Sequence, residues 1–258
     1  MTDASDPLTG QVAIVTGASR GIGRGLALGL ARAGAAVVCA ARSDTKSAGA
    51  LPGTIRDTAD AIRSEGGVAL PLRCDIGVEA DIVSLVDATR SEFGRLDVLV
   101  NNAMAPTRAP FLDSSAAEWD ESMRINVRSL YLTARAVVPI MAEQNGGSII
   151  NISAGAADPA VTGLPPGYLT YSVAKAALER FSTGLAGEVA SLGIAVNALR
   201  PGAVKTEHAE HELGADWDWT GWKTPEAVVP AVNFLAAQRG DGVTGRVLDS
   251  TQFGMIWP

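Results

Sequence analysis

Residues 12–33 read VAIVTGASRGIGRGLALGLARA, and this stretch decides the fold. Val12–Thr16 is apolar at successive positions, which fits a parallel strand covered on both faces rather than a half-exposed antiparallel one. It runs straight into Gly17-Ala18-Ser19-Arg20-Gly21-Ile22-Gly23 and then into a helical pattern over Leu26–Ala33. Glycines at such a turn let the backbone approach a pyrophosphate, whose charge sits well at the N-terminus of the following helix. Glycines also serve tight turns and close helix–strand packing. The strand–loop–helix context is what points to a dinucleotide.

The same rhythm continues outward from this unit. Apolar runs recur at Ala36–Ala41, Val68–Leu72, Leu96–Asn101, Ser148–Ile152, Ile194–Leu199 and, more weakly, Val243–Asp249. Between them lie helical patterns at Ile55–Glu65, Ala80–Phe93, Ala116–Glu143, Ser172–Ser191 and Pro225–Ala237, the last with Thr224 as cap and proline in the first turn. The alternation predicts an α/β fold: one Rossmann-type domain over residues 1–258, with a doubly wound parallel sheet of about seven strands and helices on both faces. Three segments break the rhythm: Arg42–Thr54, Ala154–Gly167 and the polar stretch Ala203–Lys223. All follow carboxyl ends of strands, where open parallel sheets bind ligands. Residues 203–223 read as a substrate lid.

Composition narrows the classes. With 258 residues, 47% of them hydrophobic, the chain can bury a substantial core. A formal net charge of −7 argues against a nucleic-acid partner. Two cysteines, Cys39 and Cys74, suggest no disulfide framework, and the N-terminus lacks the basic and apolar regions of a signal peptide. No apolar run is long enough for a membrane span. The expectation is a cytoplasmic protein. Glu207, His208, Glu210, His211 and Glu212 offer side chains at helical spacing, but no further ligand of fixed spacing follows, so no metal is expected.

TGASRGIG resembles the cofactor loop of the short-chain dehydrogenase/reductase family. Asn101-Asn102-Ala103, Asn126 within RINVRS, Tyr171-x-x-x-Lys175 and Pro201-Gly202 follow in that family's order, so the resemblance covers nearly the whole chain. A narrower likeness, carried by LPGTIRDTADAIRSEGGVALPLRCDI, is to the hydroxysteroid dehydrogenase-like subgroup. The resemblance implies that Gly17, Ser19, Arg20, Gly21, Ile22 and Gly23 hold a dinucleotide. It further implies that Asp75 meets the adenine, Asn102 and Ala103 line the adenosine side, and Pro201, Gly202 and Thr206 lie over the nicotinamide. Met104 stands where the family has glycine and narrows the pocket there.

The second strand ends Ala40-Ala41-Arg42 with no acid at its tip, where an NAD-specific protein places a ribose acceptor. Arg42, helped by Arg20, suits a 2′-phosphate instead, so NADP is expected over NAD, although Asp44 could still receive a ribose.

Tyr171 and Lys175 are four apart on a predicted helix and share a face. An ammonium beside a phenol favours the phenolate and makes the tyrosine a usable acid/base. Tyr168 has Ser172 at the equivalent spacing, so Tyr171 is the working residue and Tyr168 lines the substrate pocket. The resemblance adds a ribose contact for Lys175 and, at Asn126, a kink in the helix that holds a water leading to Lys175. It also asks for a catalytic hydroxyl at the end of the fifth strand, where Ala154 stands instead. Ser153 can swing in, Thr162 or Thr170 can substitute, or the hydroxyl can be absent. Ser153 is the provisional carbonyl donor.

Trp217 and Trp219, with Trp222, read as an amphipathic cover for an apolar substrate. Phe253 and Trp257 are expected to pack into a subunit interface or a neighbouring pocket. Two readings follow. One is an NADP(H)-dependent oxidoreductase interconverting a carbonyl and a secondary alcohol on an apolar substrate, in a homotetramer or homodimer. The other, motivated by Ala154 and Met104, is a catalytically weak dinucleotide-binding sensor or scaffold.

Overall fold

The computed structural model describes residues 6–47, 51–106, 109–214 and 216–258. The chain passes from β1 (Val12–Thr16) through the glycine loop to α1 (Gly21–Arg32), β2 (Ala36–Ala41), α2 (Ile55–Ser64) and β3 (Ala69–Arg73). Next come α3 (Glu79–Phe93), β4 (Val98–Asn101), α4 (Ala116–Met123), α5 (Ser129–Glu143) and β5 (Gly147–Ile152). The last part holds α6 (Leu169–Val189), β6 (Ile194–Arg200), α7 (Glu207–Leu213), α8 (Val229–Ala236) and β7 (Val247–Asp249). All strand pairs are parallel, in the order β3-β2-β1-β4-β5-β6-β7. The chain changes direction across the sheet between β1 and β4, which opens a crevice at their carboxyl ends.

The sheet divides the core by the two-residue period of its strands. Ala13 and Val15 of β1, with Val37 and Cys39 of β2, face α1, α2 and α8 and pack with Leu26, Leu30, Ile62 and Leu235. Ile14, Val38 and Ala40 face the other way and meet Ile82, Val86, Val137, Met141 and Val189 of α3, α5 and α6. Both faces being buried is why these strands read as unbroken apolar runs.

Element bounds follow the expected ones within a few residues, with instructive departures. α1 starts at Gly21, not Leu26, because its first turn is built of glycines that carry no apolar period. β7 keeps only Val247–Asp249; upstream of it the Thr244 hydroxyl accepts from the Val196 amide and the Gly245 amide donates to the Val196 carbonyl, so that part closes as a turn. The single helix expected over Ala116–Glu143 is broken: a π-turn at Arg124–Arg128 separates α4 from α5. The stretch expected as a polar loop contains α7, whose N-cap Thr206 accepts from the Ala209 amide at 3.2 Å. Phe253 and Trp257 pack on Phe234 of α8 in the same chain, with ring centroids 5.7 and 6.0 Å away. Among the described residues no helix is long and apolar enough to cross a membrane.

Candidate active site

The glycine loop and the end of β4 form one unit. The Thr16 hydroxyl accepts from the amides of Asn102 and Ala103 at 3.0 and 3.1 Å, and the Asn102 side chain donates back to the Thr16 carbonyl at 3.0 Å. Gly17 has φ +70°, and a Cβ there would lie 2.7 Å from the Asn102 amide nitrogen. A Cβ on Gly23 would collide with the Gly17 carbonyl. These glycines are therefore required by close approach as well as by the turn.

A cavity of about 400 Å³ opens beside this unit. The expected loop residues Gly17, Ser19, Arg20, Gly21, Ile22 and Gly23 line it, joined by Arg42, Asp75, Asn102, Ala103, Met104 and Thr206. The first turn of α1 has no side-chain cap and no acid, so its free amides suit a phosphate. Arg20 donates to Ser43 Oγ at 3.4 Å and to the Gly53 carbonyl at 3.3 Å, while its buried Nε has no partner. Cradle, open helix end and orphaned guanidinium nitrogen together fit a dinucleotide. Asp44, weighed as a ribose acceptor, is paired with Arg56 at 2.8 Å. Asp75 accepts from the Gly77 amide at 2.9 Å, which sets its carboxylate at the cavity wall.

Tyr171 and Lys175 lie at the start of α6, outside the walls of this cavity, as do Pro201 and Gly202 at the end of β6. The Lys175 ammonium is 5.8 Å from the centre of the Tyr171 ring and donates to the Ile152 carbonyl at 2.7 Å. Lys175 is only 4% exposed, and burial pushes its ammonium down to about 8, with Glu179 pulling the other way. Tyr168 meets Tyr171 edge-on at 6.2 Å between ring centres. Asn126 sits in the π-turn, and its side chain accepts from the Ala105 amide and donates to the Ala105 carbonyl, both at 3.0 Å. It also donates to Ser122 Oγ at 3.1 Å.

Ser153, the provisional carbonyl donor, has a protein partner: its hydroxyl donates to Glu179 Oε1 at 2.7 Å in a buried setting. Sequence reasoning passed over the group that draws it away: Glu179, one turn beyond Lys175, with Arg200 held on it by two bonds of 2.7 and 2.8 Å. The available signal was spacing, since Tyr171, Lys175 and Glu179 follow one another by fours. Among the other hydroxyls considered, Thr170 is buried and Thr162 is exposed. In the 203–223 segment, Trp219 packs edge-on to Trp222 at 5.0 Å and under the Lys205 ammonium, while Trp217 is 46% exposed. Glu207 and His208 of α7 reach the cavity wall, and His208 Nε2 lies 3.1 Å from Glu212.

A sheet of this order, with a glycine cradle at its crossover point and a tyrosine–lysine pair beside it, defines a dinucleotide-dependent oxidoreductase class. A family model described as short chain dehydrogenase matches residues 11–215. The 3-oxoacyl-[acyl-carrier-protein] reductase of Synechocystis sp. is 35% identical over 89% of this chain and 90% of its own length. Hydroxysteroid dehydrogenase-like protein 2 of Mus musculus is 38% identical over 75% of this chain but only 39% of that longer protein. The crystal structure of hydroxysteroid dehydrogenase from Escherichia coli superposes with a TM-score of 0.81 at 29% identity, covering 95% of this chain and 97% of that one. The chain belongs to the short-chain dehydrogenase/reductase family. It is an oxidoreductase of CH–OH groups that uses NAD(P).

Proposed function

We propose that this protein is an NADP(H)-dependent oxidoreductase that interconverts a carbonyl and a secondary alcohol on an apolar substrate, with Tyr171 as acid/base. The observation that carries the proposal is the Tyr171–Lys175 pair, one helical turn apart, at the carboxyl edge of a sheet whose neighbouring crevice is glycine-lined. When bound, the nicotinamide gives hydride to the substrate carbon or takes it away. Tyr171 moves the proton at the substrate oxygen, and the nearby ammonium favours its phenolate. Lys175 spends one N–H on Ile152, leaving donors for the ribose and for a water on the proton path. Asn126 supports that path by shaping the π-turn, a device often found at functional sites.

NADP is preferred over NAD because Arg42 and Arg20 border the cavity where an NAD-specific site places an acid. Met104, Tyr168, Trp217 and Trp219 make the substrate side apolar, and residues 203–223, including α7, act as the lid. The names of the relatives above support steroid-like and fatty-acyl carbonyls as candidate substrates, beside aromatic ketones. Two free buried cysteines, whose thiols burial pushes up to about 12, suit a cytoplasmic setting.

The site without a catalytic serine favours a second reading. Ala154 carries no hydroxyl and Ser153 is tied to Glu179, as a cofactor-binding sensor or scaffold would tolerate. The deciding experiment follows NADPH and NADH oxidation against a panel of apolar ketones, for wild type and Tyr171→Phe side by side. Turnover that prefers NADPH and falls by orders of magnitude in the variant is the expected result. NADPH binding without turnover in either protein would favour the sensor, and equal turnover in both would remove Tyr171 from the chemistry.

A further inference from the structure

Two of three side chains on one stripe of α6 tie that helix to the ends of two strands. Tyr171 stands half-buried at the N-terminal end of the stripe, and Lys175 and Glu179 follow at successive turns, both buried. Lys175 donates to the carbonyl of Ile152, the last residue of β5, at 2.7 Å. Glu179 accepts from the hydroxyl of Ser153, the next residue, also at 2.7 Å. The same carboxylate receives Arg200, the last residue of β6, through Nε and Nη2. Arg200 then uses Nη1 to hold Asp158 in the long segment between β5 and α6 at 2.5 Å.

We propose that Glu179 and Arg200 form a positioning clamp for Tyr171, and that Ser153 serves this clamp instead of the substrate carbonyl. The inference rests on the oxidoreductase reading above. A serine hydroxyl has one proton to give, and Ser153 gives it to a carboxylate. A rotation or slide of α6 would break the attachments at Ile152, Ser153 and Arg200 together, so they fix where the Tyr171 phenol stands over the sheet. Through Asp158 the clamp also orders the extended loop that borders the site.

Charge follows the same layout. The ionisable groups around Lys175 are Tyr171 and Glu179 on α6, Arg200 on β6 and Asp158 on the loop. The charges on the elements packed against α6 are engaged elsewhere or exposed: Arg124 with Glu121, Arg128 with Glu79, Glu118 on the Ser115 cap, and Asp120 in solvent. Two carboxylates therefore balance two cations. Removing the Glu179 charge leaves Arg200 facing a buried ammonium, which loses the carboxylate that holds its proton.

The test compares wild type with Glu179→Gln, Glu179→Asp, Ser153→Ala and Tyr171→Phe. Misplacing a reacting group costs up to about a hundredfold, so Glu179→Gln should lower kcat by about ten- to a hundredfold while KM for NADPH holds. Glu179→Asp, which keeps the charge, should recover part of the loss. Ser153→Ala should stay within about threefold of wild type, whereas removing an oxyanion donor costs a hundred- to a thousandfold. Lys175 can be titrated independently of turnover by NMR of carbon-13-labelled lysine on the unliganded protein, whose lysines are Lys46, Lys175, Lys205 and Lys223. In Glu179→Gln the Lys175 titration should move to lower pH. A hundredfold or larger loss in Ser153→Ala overturns the proposal, and so does an unmoved Lys175 titration in Glu179→Gln. If wild type turns nothing over, or Tyr171→Phe stays fully active, the oxidoreductase reading falls while the lysine titration still decides the clamp.

Discussion

Lys175 holds its ammonium where burial depresses it from the ordinary lysine value of 10.5 to about 8. Below pH 8 the folded and unfolded chains both carry this proton. Between about 8 and 10.5 the unfolded chain binds more of it, so folding stability contributed by this group rises with pH across that window. At about 1.36 kcal/mol per unit, the rise is on the order of 3 kcal/mol. Urea unfolding at a series of pH values should show wild type gaining this much relative to Lys175→Met, which has no proton to exchange. A constant difference across the window would mean that Lys175 is not desolvated. In the mechanism we propose, catalysis runs the opposite way: as the ammonium discharges above about pH 8, Tyr171 loses the charge that would favour its phenolate. Spacing put Tyr171 and Lys175 on one helix face, and only the glycine loop upstream gave the pair a catalytic meaning in the sequence. Glu179 sits on that same stripe, yet its meaning depends on Arg200, which reaches it from a different strand.

At the scale of elements, legibility follows periodicity. β1 and β2 were readable to the residue because both of their faces are buried. α7 was not, since EHAEHEL is polar all round and offers no apolar stripe to detect. The break between α4 and α5 leaves no mark in the apolar period, and the kink expected at Asn126 came from the family resemblance. A π-turn adds a residue to one turn without interrupting the composition, so among the residues themselves the poor helical fit of Asn126 was the hint. That asparagine spends its amide on both polar atoms of the Ala105 backbone, just past Met104. Asn126→Ala should therefore leave a partly buried N–H and C=O without partners and destabilise the fold by about 1–3 kcal/mol. Thermal unfolding measures the cost, and faster amide exchange at Ala105 locates it. Unchanged exchange there would mean that the π-turn, not the side chain, holds the segment.

The whole molecule leaves apolar side chains uncovered on the outer faces of α5 and α6: Tyr131 is 52% exposed, Leu169 47% and Val173 38%. Family members commonly assemble through these two long helices, and we propose for this chain a homotetramer or homodimer built on them. Sedimentation velocity should give four or two times the chain mass for wild type, and a smaller species for Tyr131→Glu combined with Val173→Glu. A monomeric wild type would refute it. The fold was legible at this scale because strand–helix alternation constrains topology strongly. Assembly was not, because an exposed apolar side chain names no partner.

The packing of α1 has a consequence for how the chain is made. Gly25 and Gly29 of α1 are pressed against Pro225 and Val229, so closely that added methyl groups would strike them, and Asn233 donates to the Gly29 carbonyl. The helix that follows the phosphate loop is thus finished by residues synthesised some two hundred positions later. On the ribosome, where N-terminal segments emerge first, the glycine loop leaves the exit tunnel long before its supporting wall exists. A nascent chain stopped before α8 carries the complete cofactor motif on a helix with one apolar side bare. Competence to hold a dinucleotide then waits until the segment through Asn233 has been made.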